Sequence, residues 1–323
     1  MELDGDKSDQ PNKLQILYGV EGRYQDVTRV AGVVCIMNDV LSIPETDFAR
    51  AHIFGDHVPG VLKHIIVRIG EVETRYNQGQ QCVLPLVNIT LPSYSNDLSW
   101  FDRDEEDPAK KLANIHAHLK LFGGSMKEEY PEQMMAAQYI KPTDRVLELG
   151  SNIGRNTLTI ATLLEDQSNL VTLESDPVSY DTLMKNKTMN GYKFQSINAA
   201  LSSRKLAQNG WITVPYDTTA PHGFKIVNTI SYEEMVKQYG VFDTLVADCE
   251  GALYYILQDT PQLLDNITTI IVENDYTDIN QYLYTVNMFK DKGFETVFQA
   301  RGPWGPCSDV FYQVWTRRFV EIV

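Results

Sequence analysis

The chain has 323 residues, with 28 Lys and Arg against 43 Asp and Glu, a formal net charge of −15. Apolar residues make up 43% and charged residues 22%, which suits about two globular domains and excludes disorder, collagen and coiled coil. Residues 1–107 hold 18 acids and 9 bases and the remainder 25 and 19, so no nucleic-acid partner is expected: phosphates need a basic stripe.

Residues 1–12 are polar and acidic, without the apolar stretch of a secretory signal. No run of about 18 apolar residues occurs, so no membrane partner is expected either. Cys35, Cys82, Cys249 and Cys307 form no Cys-x-x-Cys pair, which favours reduced thiols over a zinc site. These features together point to a cytoplasmic protein, whole or a piece of a longer one. The sequons at Asn88, Asn186 and Asn266 read as chance matches.

Residues 13–17, 30–37, 62–69 and 81–86 are β-branched or alternating runs separated by Gly, Pro, Asn and Asp. Their spacing predicts an N-terminal β-sandwich over residues 1–104. Tyr18, Tyr24, Tyr76 and Tyr94 could form an aromatic platform there for a carbohydrate, or lie inside. The run Asp102-Arg103-Asp104-Glu105-Glu106-Asp107 reads as a solvated linker to a second domain, 105–323. Helices are predicted over 108–121 and 131–140, with Pro131 suited to a first turn.

From residue 145 the pattern alternates. Strands are predicted over 146–149, 170–173, 194–200, 244–247 and 268–272, and helices over 157–164, 178–189, 231–239, 253–264 and 279–290. Two last strands, 295–299 and 310–315, lie too close together for a helix between them and predict an antiparallel edge pair. The fold class is α/β, a Rossmann-like and mostly parallel sheet with helices on both faces.

Candidate binding residues follow from that frame. The first strand runs into Glu148-x-Gly150-Ser151-Asn152-x-Gly154. Glycines there let backbone approach a ligand, and the amides of the helix that follows can hold an anion. This spacing is not the Gly-x-Gly-x-x-Gly of dinucleotide enzymes. It matches the loop with which class I methyltransferases hold S-adenosylmethionine. Glu174 ends the second strand and is placed to accept hydrogen bonds from a ribose, while Asp176 before Pro177 reads as a helix cap. Asn198 and Ala199, after the third strand, fall where such folds face an adenine.

Asp248-Cys249-Glu250-Gly251 ends the fourth strand and Glu273-Asn274-Asp275 the fifth, the edge where open α/β sheets bind ligands. So many acids at one edge repel one another and call for a cation, a proton, a sulfonium or substrate hydroxyls. Asp248 is the first candidate for a base, then Glu250, then Asp275. A divalent metal held by Asp248, Asn274 and Asp275 is a lesser alternative. His222, Trp211, Trp304 and Tyr276 could reach a substrate but read more simply as loop and packing residues. Met134, Met135, Tyr254 and Tyr255 read as core.

The combination of Glu148-x-Gly150-x-x-x-Gly154, Glu174, Asn198 to Ser202, Asp248-Cys249-Glu250-Gly251 and Glu273 resembles the FkbM-type S-adenosylmethionine-dependent methyltransferases over about residues 125–316. Members commonly carry a Lys two residues before the Asp, where this chain has Val246. Asn152-Ile153-Gly154-Arg155-Asn156 and Tyr130-Pro131-Glu132-Gln133 further resemble methyltransferase domains of glycan-synthesis proteins from large DNA viruses, particularly chloroviruses. The resemblance implies an O-methyltransferase acting on a sugar hydroxyl, such as that of the deoxysugar rhamnose, with S-adenosylmethionine as cofactor and no required metal; a viral protein of this kind would work in host cytoplasm. Two other readings stand beside it: a catalytically inactive glycan-binding or scaffold protein that keeps the fold, and a nicotinamide-dependent oxidoreductase, which the missing dinucleotide fingerprint disfavours.

Overall fold

The computed structural model describes residues 12–87, 89–91 and 98–317. Asn88, Tyr94 and the polar leader before residue 12 lie outside them. The chain divides into two compact units. The first comprises residues up to Asn96 with the short segments Lys120–Gly124 and Thr188–Gly191; the second comprises the rest.

The first unit contains a sheet in the order Arg23–Asp26, Asn12–Val20, His64–Ile69, Val72–Tyr76, with Ile89–Thr90 parallel to the start of Asn12–Val20. A smaller sheet joins Ile36–Met37, Val40–Ile43 and Cys82–Pro85. Two helices, Thr28–Val34 and Asp47–Phe54, share one core with both sheets. The all-β sandwich is thus corrected to a mixed unit. The valines of 30–37 suggested a strand, yet Asp26 Oδ1 accepts from the Thr28 amide at 2.9 Å and starts a helix turn there. Burial of Ala31 against the core then outweighs β-branched propensity. Along Asn12–Val20 the side chains of Leu14, Ile16 and Tyr18 alternate into that core. Tyr18 therefore belongs to no surface platform: it is fully buried and donates to Asp47 Oδ1.

Arg50 is fully buried in the same unit. Its guanidinium donates to the carbonyl oxygens of Pro44, Tyr76, Asn77 and Gln80, tying the Asp47–Phe54 helix to the turn after Val72–Tyr76.

The second unit is built on seven strands: first Val146–Leu149, second Leu170–Leu173, third Gln195–Ile197, fourth Thr244–Ala247, fifth Thr269–Glu273, sixth Glu295–Ala300 and seventh Tyr312–Thr316. Their order in the sheet is third, second, first, fourth, fifth, seventh, sixth. All neighbours are parallel except those of the seventh strand, which runs antiparallel between the fifth and the sixth. The last two strands do pair antiparallel, as predicted, but the sixth forms the edge. The first, second and fourth strands are buried at every residue, the signature of a parallel sheet covered on both faces. Strand order reverses between the first and fourth strands, which opens a crevice at their carboxyl ends.

An insertion follows the third strand. Leu206–Asn209, Ile212–Pro215 and Lys225–Val227 form a three-stranded sheet, and Ala200–Leu201 pairs with Thr229–Ile230. Ser231 then caps the helix Tyr232–Tyr239 with a reciprocal Glu234 bond.

Glu148 sits within the first strand, level with Thr172 on the second and Val246 on the fourth. It is buried, and its Oε2 accepts from Thr157 Oγ1 at 2.7 Å and Thr172 Oγ1 at 2.6 Å. Burial raises its pKa from 4.5 to about 7 against the lowering effect of those two hydroxyls.

Two outcomes are expected. Arg50→Met removes the donor from four carbonyl oxygens and should lower the stability of the first unit by about 2–4 kcal/mol in urea unfolding. Glu148 binds its proton more tightly folded than unfolded. Its stabilisation is complete below about 4.5 and is lost as pH rises through about 7, a change of about 3 kcal/mol. Glu148→Gln keeps an oxygen for both hydroxyls and should flatten the melting temperature across that window; an unchanged slope refutes the assignment.

Candidate active site

A cavity of about 370 Å³ opens at the carboxyl ends of the first, second, fourth and fifth strands, within the size range of small-molecule sites. Its walls lie wholly in the second unit.

The floor is the glycine loop. Gly150 has φ +85°, and a Cβ there would stand 1.6 Å from the Asp248 carbonyl oxygen. Only glycine lets the first and fourth strand ends cross so closely. The Gly150 and Ser151 amides donate to Leu173 O at 3.0 and 3.1 Å, and the Asn152 amide to Glu174 Oε2 at 2.7 Å. The loop amides are thus used within the protein rather than held open for an anion. Gly154 lies outside the lining; its missing Cβ makes room for Leu183 at the start of the helix Arg155–Leu163.

Glu174 lines the cavity and is mostly buried. Its Oε1 accepts from the Asp176 amide at 2.8 Å and its Oε2 from Asn152. Each oxygen keeps a lone pair for a ligand hydroxyl. Burial raises its pKa, and the backbone amides of Asp176, Asn152 and Ser175 pull it down. Asn198 is not in the lining. Its Nδ2 donates to the carbonyl oxygens of Glu174 and Ser175 at 2.8 and 3.3 Å, so it holds the strand tip from behind. Ala199 does line the cavity.

The opposite wall is acidic. Asp248 and Glu250 line it, with Cys249 between them and Glu250 at φ +52°. Glu273 and Tyr312, register partners on the fifth and seventh strands, adjoin them. Glu129 and Glu132 complete the wall from the start of the helix Tyr130–Tyr139. Gln133 fixes that helix start: its Nε2 donates to the carbonyl oxygens of Met126, Glu128 and Glu129. Glu129 Oε1 accepts from Arg155 Nη1 at 2.7 Å and Asn152 Nδ2 at 3.0 Å, so its charge is compensated.

Glu132, Asp248 and Glu273 have no ion pair among the described residues, and each offers an oxygen within 4.8 Å of the others'. Burial pushes Asp248 far above the usual carboxylate range, and the charges of Asp275 and Glu132 add to it. Glu273 is raised by burial, then by the Glu132 carboxyl within hydrogen-bonding reach, then by the Asp248 charge. The one basic side chain in the described lining, Arg204, is paired with Asp259.

Asp275 does not reach the cavity. It is buried, its Oδ1 accepts from the Gly251 amide at 2.7 Å, and burial raises its pKa to about 7. It shapes the acidic turn from beneath. Asn274 is also buried away, with Nδ2 donating to Val310 O and Gln313 Oε1. The metal set Asp248, Asn274 and Asp275 therefore does not assemble: Asn274 turns to the opposite face from Glu273, and Asp275, beyond the end of the strand, turns to the Gly251 amide. Glu148 turns from the first strand toward Thr157 on the helix Arg155–Leu163, outside the lining.

Of the aromatic candidates, Trp211 lines the cavity from the inserted sheet and is 60% exposed. Ser175 Oγ donates to Gln208 Oε1 at 2.8 Å and ties that sheet to the second strand tip. Tyr255, read as core, is exposed and lines the mouth. Tyr276 is buried and donates to Thr285 Oγ1; Trp304 and His222 are outside the lining. Sequence reasoning missed Glu129, Glu132 and Tyr312. The sequence shows the acids Glu128, Glu129 and Glu132 around a Pro-started helix, but nothing in their spacing places them at the strand tips.

No helix of the described residues is long and apolar enough to cross a membrane. Asn186 is fully buried and donates to Ile153 O, so it is no glycan acceptor in the folded chain.

No family model matches the chain, and no curated protein matches it. Solved structures similar to it include ribosomal protein L11 methylase from Lactobacillus delbrueckii subsp. bulgaricus, at 13% identity and TM-score 0.40 over 62% of this chain and 82% of that one. The O-methyltransferase from Bacillus cereus in complex with SAH aligns at 14% identity and TM-score 0.38, over 65% and 90%. A protein of the NADB-Rossmann superfamily from Streptococcus agalactiae aligns at 14% and TM-score 0.37, over 64% and 73%.

Proposed function

We propose that the second unit transfers a methyl group from S-adenosylmethionine to a sugar hydroxyl, the FkbM-like activity that the motifs suggest, with a deoxysugar such as rhamnose in a glycan as acceptor. The observation that carries this reading is the pairing of Glu174 with the acidic wall across one cavity. Glu174 keeps lone pairs for the two hydroxyls of a ribose. Opposite it, Asp248, Glu132 and Glu273 lack a counter-charge, a setting that favours a cationic sulfonium.

When bound, S-adenosylmethionine supplies an electrophilic methyl carbon on that sulfonium. The protein's part is to align and to manage charge. Leu149, Leu173 and Leu201 give the cavity apolar surface beside the loop. Trp211 and Tyr255 at the mouth offer faces on which a sugar ring stacks. In this reading Asp248, which lines the cavity, takes the hydroxyl proton as the oxygen–carbon bond forms and the carbon–sulfur bond breaks, with that bond's electron pair passing to sulfur. A nearby positive sulfonium lowers the Asp248 pKa again and so favours its proton-accepting form. Glu250 is the second candidate for this role. Asp275, away from the cavity, is a positioning residue for the Gly251 turn.

Calorimetry with S-adenosylmethionine and its demethylated product should show micromolar-range binding, and Glu174→Ala should weaken it about 5- to 150-fold, or about 1–3 kcal/mol. Absence of binding in the wild type would leave an inactive glycan-binding protein as the better account. Labelled methyl donor and a panel of glycosides test the acceptor. With the acceptor that works, Asp248→Asn should reduce turnover at least about 100-fold while cofactor affinity changes far less; near-wild-type turnover would place the base elsewhere.

A further inference from the structure

We infer that Glu132, Asp248 and Glu273 form a binding site for a hard divalent cation of the magnesium and manganese type. The site does not depend on the methyl-transfer reading, because its residues are defined without any nucleoside.

The first observation is geometric. One oxygen from each of the three carboxylates lies within 4.8 Å of the others. Magnesium holds oxygens at about 2.0–2.1 Å, so two of its ligands stand at most about 4.2 Å apart, and calcium's longer bonds allow about 5 Å. The three oxygens are near enough for a small rotation of the carboxylates to close them on one ion.

The second observation concerns Glu132 by itself. The residue is 5% exposed, yet its Oε2 is buried with no donor among the described residues, and the nearest polar neighbour of its carboxyl is another carboxyl, Glu273. Leaving a buried carboxylate oxygen unsatisfied costs free energy, and the Gln133 knot holds the helix start so that Glu132 stays in the wall of the cavity. A cation supplies the missing partner.

Charge balance points the same way. The carboxylate that Arg155 neutralises in this wall is Glu129, and the described lining has no free base, since Arg204 is taken by Asp259. The donor set is all carboxylate, without His, which suits magnesium or manganese better than zinc. Three protein ligands leave positions of a six-coordinate ion for water or for an acceptor's hydroxyl oxygen.

The three side chains come from the helix Tyr130–Tyr139, the fourth strand and the fifth strand. That helix packs on the fifth and seventh strands, which explains how a residue more than a hundred positions upstream meets two strand tips. The set differs from Asp248, Asn274 and Asp275, the trio that sequence spacing suggested.

The test is an electron paramagnetic resonance titration of manganese(II) into the nucleoside-free, chelator-treated protein at neutral pH. One ion per chain should bind and be displaced by magnesium. Glu132→Gln and Glu273→Gln, each close in shape, should each weaken binding at least tenfold, while circular dichroism confirms their fold. Absence of bound manganese in the wild type overturns the site, whatever the variants do. Equal binding by wild type and both variants overturns it as well. The nucleoside titration is run separately, so failure of one reading leaves the other standing.

Discussion

Negative charge gathered at one edge of a parallel sheet is the constraint around which the second unit is arranged. Glu129, Glu132, Glu174, Asp248, Glu250 and Glu273 all face one cavity. Like charges at such range oppose folding unless protons, cations or donors offset them. The structure handles each acid differently. Arg155 answers Glu129, two backbone amides answer Glu174, and the Gly251 turn is braced by Asp275. Glu132, Asp248 and Glu273 are left without such partners. Three costly groups are thus held together at this edge without a counter-charge among the described residues.

The same economy of charge explains Glu148. In the register of the sheet it lies opposite Val246, the position where FkbM-type chains commonly carry a Lys. Paired residues on neighbouring strands point to the same face, so a Lys at that position would meet Glu148 in a buried ion pair. Here Val246 is apolar and buried. Glu148 is satisfied instead by Thr157 and Thr172 and holds its proton up to about 7. A neutral acid bonded to two hydroxyls avoids the desolvation cost of a buried ion pair. Val246 beside a Glu148 held by two hydroxyls is thus a satisfied arrangement in itself, outside the lining of the cavity.

How much of this was legible in sequence follows from which interactions are local. The strands 146–149, 170–173 and 244–247 are short apolar runs ended by acid or glycine, and each was placed to the residue. Glu174 and Asp248 were found because a parallel sheet sends its strand tips to one edge. Glu132 and Glu129 were not, because their approach depends on where a preceding helix packs, and spacing carries no trace of that. Asn274 was misplaced because adjacent strand-tip residues alternate in direction and Glu273 is the one that faces the cavity; Asp275 was misplaced because the strand ends at Glu273 and the chain then turns to meet the Gly251 amide. The inserted sheet at 206–227 escaped notice because its strands are largely exposed or half-buried and lack the buried apolar run of the central ones. In the first unit, valines in Thr28–Val34 mimicked a strand while the deciding interaction, the Asp26 turn, was polar and local.

The acidic wall also limits what the acceptor is under the proposed reading. Where the wall is ionised and holds no metal ion, an anionic acceptor brought to about 6 Å of one of these carboxylates would meet a repulsion of about 3 kcal/mol at an effective dielectric near 20. Phosphorylated or carboxylated acceptors are disfavoured on that ground. A cationic amine would be attracted, but the attraction holds its proton in place and leaves nitrogen without the lone pair that displacement requires. A neutral hydroxyl suffers neither penalty. Its oxygen keeps lone pairs for the methyl carbon, its proton faces a carboxylate, and the rest of a sugar ring has Trp211 and Tyr255 at the mouth to lie against. Charge alone thus ranks the alcohols above amines and acids, and the aromatic mouth ranks a sugar above a simple alcohol.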